Sequence, residues 1–421
     1  MKIRRYSNIY GKNDHTWLKI VITFVVIALV VFLVFSVADP IAKLFSGDFG
    51  DDTSSEFNPT VSYASETTSM PDNSDTPSTD TSDNSQNTSS EEPVIVRPDR
   101  TEYTAGLSVV LGRDIAGNSE KFELFLQNAK AQGVENVIIE LKDAEGYLYY
   151  KSNLRNAKSC KAISSNAITN LSAVIAKLRE NGIAVTAKIN CFSDRIATDI
   201  ADAAVKYQGD NGGKWLDDYK ENGGKSWLNP YSDAAVNYLL DIAKELTNMG
   251  VDNVLLSSLR FPGGHQQFAY YGYDSATVSR EECLARFVSK MKAALEYANS
   301  EVWVEVDMPH YLEQQPEIYG KNPFEYGADC VVINLVAEDF GSSIFINNTT
   351  IQNPSKNYRD LIRTVIGKCQ SMNTDGVDIL ALLQGYDYEN EDVQNQIKEA
   401  KKYSATRYAL EINGADIPLV K

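Results

Sequence analysis

The hydrophobic pattern of this chain changes character three times. From Ile20 to Val37 the run IVITFVVIALVVFLVFSV is uncharged for 18 residues, about the minimum that crosses a bilayer core as a helix, with Trp17 placed as an interfacial ring. Residues 44–96 then carry eleven Asp/Glu and no Lys or Arg among Ser, Thr, Asn and Pro. Such a stretch has too little apolar surface to offset its ordering entropy, which predicts a disordered tether. As a flexible coil, about 50 residues span roughly 40 Å root mean square. From residue 98 the pattern becomes that of a folded domain, in which amphipathic helical stretches end at Gly and run directly into short apolar strands.

Four such junctions nearly repeat: Gly133 before VENVIIEL, Gly182 before IAVTAKI, Gly250 before VDNVLLSS and Gly376 before VDILALL. Ahead of the third, Val236, Leu239, Leu240, Ala243 and Leu246 recur at helical spacing after a Ser232 cap, and Gly250 suits the left-handed residue past the helix end. Candidate strands at 106–111, 301–307, 329–336 and 406–412 bring the total to eight, each near-continuously apolar, as expected of strands covered on both faces. Eight α-to-β units predict a (β/α)8 TIM-like barrel. An open doubly wound sheet is the alternative, but no G-x-G-x-x-G follows the first strand, so nothing points to a dinucleotide or any other cofactor.

The expected organisation is a cytoplasmic N-terminus at 1–16, a transmembrane anchor at 17–38, a linker at 39–97 and the barrel at 98–421. Lys2, Arg4, Arg5, Lys12 and Lys19 precede the apolar run against Asp14 alone, so the positive-inside bias places the barrel outside the cell. Ser36-Val37-Ala38 resembles a signal cleavage site, but the apolar run exceeds the roughly 7 to 15 residues usual for secretory signals. The net charge of -17 makes nucleic acid an unsuitable partner. Eleven of those charges lie in residues 44–96, so acidity says little about any site. Five scattered Cys fit neither a zinc ribbon nor a disulfide framework and read as mostly buried thiols.

In a barrel, chemistry comes from the C-terminal ends of strands. The second strand ends IIELKDAEG, and alternation puts Glu140 and Lys142 on one face with Asp143 in the loop. The third ends with Lys188 and Asn190 on one face and Asp194 beyond. One reading is an ion-pair network of Glu140 with Lys142 and Lys188, the other substrate positioning. The fourth ends VLLSSLRFPGG, offering Ser257 and Ser258 but no acid, with Arg260 and Pro262 shaping the exit. A serine nucleophile lacks a G-x-S-x-G elbow, and only His265 and His310 lie in this domain. The fifth places Glu305 and Asp307 on one face, where neighbouring acids split their pKa values. Same-strand acids about 6 to 7 Å apart point alike rather than flanking a bond. The last three ends add Asn334, Glu338 and Asp339, then Gln384 and Asp387, then Glu411 and Asn413. Trp215, Trp227 and Tyr271 stand in aromatic-rich loops that suit either sugar stacking or capping of the barrel. No metal spacing is present, although acidic loops could hold calcium.

Residues 105–415 resemble a bacterial family of membrane-anchored or secreted proteins, predicted glycoside hydrolases with an α-amylase-like barrel. The family's V-I-D-x-K-D is IIELKD here, with Glu140 at the acid and Lys142 and Asp143 kept. A-R-I-x-x-F-x-D is AKINCFSD, with Lys188 for Arg and Phe192 and Asp194 kept. The aromatic loop runs from Trp215 through Trp227, Asn229, Pro230 and Tyr231. F-D-Y-x-R-F-P is LSSLRFP, keeping Arg260, Phe261 and Pro262 but placing Ser257 at the acid. The resemblance implies an Asp there as nucleophile or stabiliser, and an acid at Glu305, with Asp307 in the alternative register. P-W-L-Q-D-F is ALLQGY and keeps Gln384.

Two functions follow from this resemblance. In one, Glu305 is general acid/base and Glu140, Asp143 or Asp307 supplies the second carboxylate for glycosidic cleavage. In the other, the barrel is a tethered pseudoenzyme that binds polysaccharide or cell-wall glycan through Lys142, Lys188, Ser257, Arg260, Gln384 and the ring platform of Trp215, Trp227 and Tyr271.

Overall fold

Glycines with positive φ end the helices at the predicted junctions, at Gly133, Gly182, Gly250 and Gly376. The computed structural model describes residues 100–420 apart from 102, 104, 210–212 and 314–315. These all belong to one unit, Ser89–Lys421. The predicted anchor and tether lie outside the described residues.

Eight strands, β1 (Leu107–Val110), β2 (Val134–Lys142), β3 (Ala184–Asn190), β4 (Asn253–Ser257), β5 (Glu301–Val306), β6 (Cys330–Leu335), β7 (Asp378–Gln384) and β8 (Arg407–Glu411), pair parallel in chain order. β1 pairs with both β8 and β2, so the sheet closes into a barrel. Helices α1 (Ser119–Gln132), α2 (Leu171–Glu180), α3 (Asp233–Asn248), α4 (Arg280–Leu295), α5 (Met308–Glu313), α6 (Tyr358–Met372) and α7 (Asn390–Lys402) connect the strands. Asn118, Asn170, Ser232 and Ser279 cap the first four by accepting backbone N–H bonds. In α3, Val236, Leu239, Ile242, Ala243 and Leu246 are buried, each large side chain contributing roughly 1.5 to 3 kcal/mol. Four of the five cysteines are buried free thiols.

Inside the barrel, Ile138, Leu255, Trp303, Val332, Leu382 and Ala409 belong to one apolar cluster. Two residues further along their strands stand Glu140, Ser257, Glu305, Asn334, Gln384 and Glu411. The two-residue period of a strand thus stacks a polar mouth on an apolar plug. Below the plug a second polar layer closes the N-terminal end. Asn136 bonds Ser108 at 3.1 Å, Thr186 bonds Asn136 at 3.0 Å and Asn253 bonds Thr186 at 3.3 Å. Arg100 reaches Asn253 at 2.6 Å and Glu301 at 3.1 Å, and Arg407 joins Glu301 at 2.9 Å to Asp378 at 3.1 Å. Arg100, the first described residue, thus sits at the face opposite the mouth. Among the described residues no helix is long and apolar enough to cross a membrane.

Candidate functional site

A cavity of about 240 Å3 in the mouth is lined by Glu140, Lys188, Asn190, Ser257, Ser258, Glu305, Asp307, Tyr319 and Asn334. A larger cavity of about 660 Å3 lies at the N-terminal face around Arg100, Lys292 and Glu301. Its charges pair with one another, Lys292 with Asp329 and Arg100 with Glu301, and barrel chemistry belongs to the other end.

The mouth is organised by ion pairs, and the partners differ from those that alternation predicts. Lys188 Nζ lies 2.9 and 2.7 Å from the two oxygens of Glu305. Burial opposes the charge on Lys188, but attraction and hydrogen bonding from Glu305 outweigh it and hold its pKa above the usual lysine value. Glu140 receives Arg113 at 2.8 Å on one oxygen and Asn190 Nδ2 at 3.2 Å on the other. Burial raises its pKa, against the pull of Lys188 and Arg113. The Arg113 guanidinium lies 3.6 Å from the centre of the Tyr149 ring.

Lys142 is absent from this group. The β2–β3 register slips between Glu140 and Lys142, so strict alternation fails there. Lys142 instead meets Asp194 at 2.8 Å, both fully buried, and donates to the Asn190 carbonyl at 2.7 Å. The expected network of Glu140 with Lys142 and Lys188 is therefore three separate pairs. Asp143 does not line the cavity either. Its Oδ1 accepts from the N–H groups of Glu145, Gly146 and Tyr147 and its Oδ2 from the Tyr149 hydroxyl at 2.8 Å, which ties the loop down.

At the end of β4, Ser257 is 4% exposed and its Oγ has no hydrogen-bond partner. Ser258 follows at φ 48, a conformation rare for serine, and donates to Asn190 Oδ1 at 2.6 Å. Asp307 is exposed, accepting the His310 N–H at 3.3 Å. The surrounding walls still desolvate its carboxyl enough to raise its pKa, with Glu305 and Asp339 adding to the effect. His310 is pushed down to about 4 by burial and Arg260, so its ring is neutral where it meets the Tyr319 hydroxyl at 3.2 Å. Asn334 donates to Asp339 at 2.8 Å.

The remaining predicted residues support the mouth from behind. Gln384 accepts from the Glu338 N–H at 3.0 Å and donates to the Tyr386 carbonyl at 3.3 Å, joining the loops after β6 and β7. Arg260 bonds the Phe261 carbonyl and stacks 4.8 Å from the Trp227 ring. Trp215 and Trp227, at 0% and 5% exposure, present no free ring face, and their indole N–H groups bond the His265 carbonyl and Asp217. Tyr271 packs on Phe261 and Tyr231 at the side of the barrel, its hydroxyl on Gln266. The two tryptophans of the predicted stacking platform are thus the packing of their own loops, while Tyr271 stays half-buried. Arg113, Tyr149 and Tyr319 escaped sequence reasoning. Arg113 stands three residues past β1, next to Asp114, at a strand end outside that reasoning, and Tyr319 arrives from the long β5–β6 connection.

An "S-layer-related protein" of Niallia circulans is 28% identical over 196 residues, 40% of this chain and 12% of that protein, so the chain spans about an eighth of this relative. A hypothetical protein of Ruminiclostridium thermocellum is 25% identical, with 46% of this chain and 96% of that one covered, at a TM-score of 0.41. The alpha-L-fucosidase isoenzyme 2 of Paenibacillus thiaminolyticus is 12% identical, with 74% and 46% covered, at a TM-score of 0.46. The sequence profile of a family described as "Putative glycosyl hydrolase domain" matches residues 108–413, nearly the whole barrel, and the chain belongs to that family.

Proposed function

We propose that this protein binds polysaccharide at the cell surface, using a glycoside hydrolase barrel for recognition rather than cleavage. The observation that carries this reading is the double engagement of Glu305 by Lys188, with Ser257 at the β4 position where the family has an acid. The Lys188 ammonium lies 2.9 and 2.7 Å from the two Glu305 oxygens and so hinders attack by that carboxylate. Glu140 is similarly occupied by Arg113 and Asn190. Hydrolysis is the second reading, favoured by the raised pKa of Asp307, which suits a general acid.

The cell-surface location rests on the 18 uncharged residues Ile20–Val37, the basic residues before them and the acidic tether after them. Full-length protein should pull down with one or more wall, storage or plant polysaccharides without releasing reducing ends, and Glu305→Gln should weaken that binding. Reducing-end release lost in Asp307→Asn would replace this reading with the hydrolytic one. Neither binding nor release would overturn both. Protease digestion of the barrel on intact cells tests the location, and protection there would refute it.

A further inference from the structure

The mouth holds more acid than its cations neutralise. Lys188 is committed to Glu305 and Arg113 to Glu140, while Asp307, Asp339 and Glu411 form no ion pair among the described residues. Asp339 accepts a hydrogen bond from Asn334 of the cavity wall at 2.8 Å and acts on the other two. Burial raises the Glu411 carboxyl, and Asp339 raises it further, as Asp339 also does to Asp307. A metal ion does not fit this set, because no three His, Cys, Asp or Glu groups among the described residues converge closely enough to hold one. Beside the acids stands the buried, unpartnered Ser257 Oγ, lining the same cavity as Asp307 and Asn334. An orphaned buried hydroxyl loses its hydration without return unless a ligand supplies a partner. The cavity of about 240 Å3 equals about eight water volumes, the scale of one pyranose ring.

We propose, resting on the polysaccharide-binding reading above, that the mouth selects a cationic amino sugar. The ammonium of a de-N-acetylated hexosamine unit lies against Asp307 in the cavity, with Asp339 and Glu411 adding negative field from its rim, and a ring hydroxyl bonds Ser257 Oγ. Dispersed acids suit an ammonium, which needs no converging ligand shell, and an N-acetylated unit forfeits that attraction.

The test is calorimetric titration of detergent-solubilised full-length protein with three tetramers: β-1,4-glucosamine, its fully N-acetylated counterpart and a neutral glucose tetramer. At low salt and mildly acidic pH the glucosamine tetramer should bind about tenfold or more tightly than the N-acetylated one, and salt should shrink the gap. Because the whole chain carries -17, diffuse attraction must be separated from the site. Asp307→Asn with Glu411→Gln should abolish the preference while N-acetylated binding persists. Asp233→Asn with Glu282→Gln, which removes the same charge from exposed positions on α3 and α4, should leave the preference intact. If the mouth variant fails to fold by circular dichroism, Asp339→Asn at an exposed position takes its place. Equal binding of all three tetramers would overturn this proposal and leave polysaccharide binding standing. A preference that survives the mouth variant would show diffuse attraction and also overturn it. Binding of none would overturn both.

Discussion

Replacing Lys142 with Met removes the ammonium that faces Asp194 beneath the loops after β2 and β3. Both side chains are fully buried at 2.8 Å, so the variant leaves a carboxylate without its cation in a place water does not reach. Asp194 keeps the Ala197 N–H at 2.7 Å, which satisfies one oxygen only. Breaking a buried pair in this way costs about 3 to 5 kcal/mol. At about 2.1 cal/mol/K of unfolding entropy per residue, a barrel of about 320 residues shifts by roughly 1.5 °C per kcal/mol, so Tm should fall by roughly 5 to 7 °C. The Lys142 bond to the Asn190 carbonyl at 2.7 Å is lost as well, so the variant should also bind glycan more weakly. Thermal unfolding by far-ultraviolet circular dichroism reads the first effect. Lys142→Met with Asp194→Leu, which removes both charges, should recover at least half of the loss, because an apolar replacement of a buried pair is often close to neutral. A single variant within about 1 °C of the parent, or a double variant no better than the single, would refute the argument that this pair is buried and isolated.

Three further outcomes follow from the same geometry. Gly146→Ala should destabilise by about 2 kcal/mol or more, since φ is +102 and the added Cβ would stand 2.0 Å from Asp194 Oδ1; an unchanged Tm would contradict the placement of that loop. Glu411→Gln should raise Tm at neutral pH. Burial and Asp339 lift its folded pKa above the unfolded value, so ionising it opposes folding at high pH, and the gain should vanish near pH 4, checked by melts across that range. Ser257→Asp places an acid where the sequence resemblance implies one, yet reducing-end release should stay at background because Lys188 still holds Glu305. Measurable turnover in that variant would show that the ion pair does not block chemistry.

Several features of the barrel were legible along the chain. Period-two alternation and the four helix-to-Gly-to-strand junctions are local properties, and each junction glycine has the positive φ that its position required. The same alternation placed Glu140, Ser257, Glu305, Asn334 and Gln384 at strand ends, because a strand carries every second side chain to one face. Lys142 shows where such reasoning stops. A single slipped register between Glu140 and Lys142 turns the next side chain away, and nothing in IIELKD announces it. The aromatic loop failed for a related reason, since composition cannot distinguish a ring that faces solvent from one, like Trp215, that is enclosed by its own loop.

What the amino-acid order determined by itself, then, was the (β/α)8 architecture and the polar character of the mouth, both set by contacts and periods within a few residues. Only the tertiary structure decided which charge meets which. Lys188 reaches Glu305 across 117 positions of chain and Arg113 reaches Glu140 across 27, and ion pairing depends on ångström distances that closure of the barrel alone creates. The same closure leaves Ser257 Oγ enclosed without a partner, and Asp307, Asp339 and Glu411 without an ion pair among the described residues. The chemistry of this mouth is therefore a product of barrel geometry acting on side chains that are far apart in the sequence.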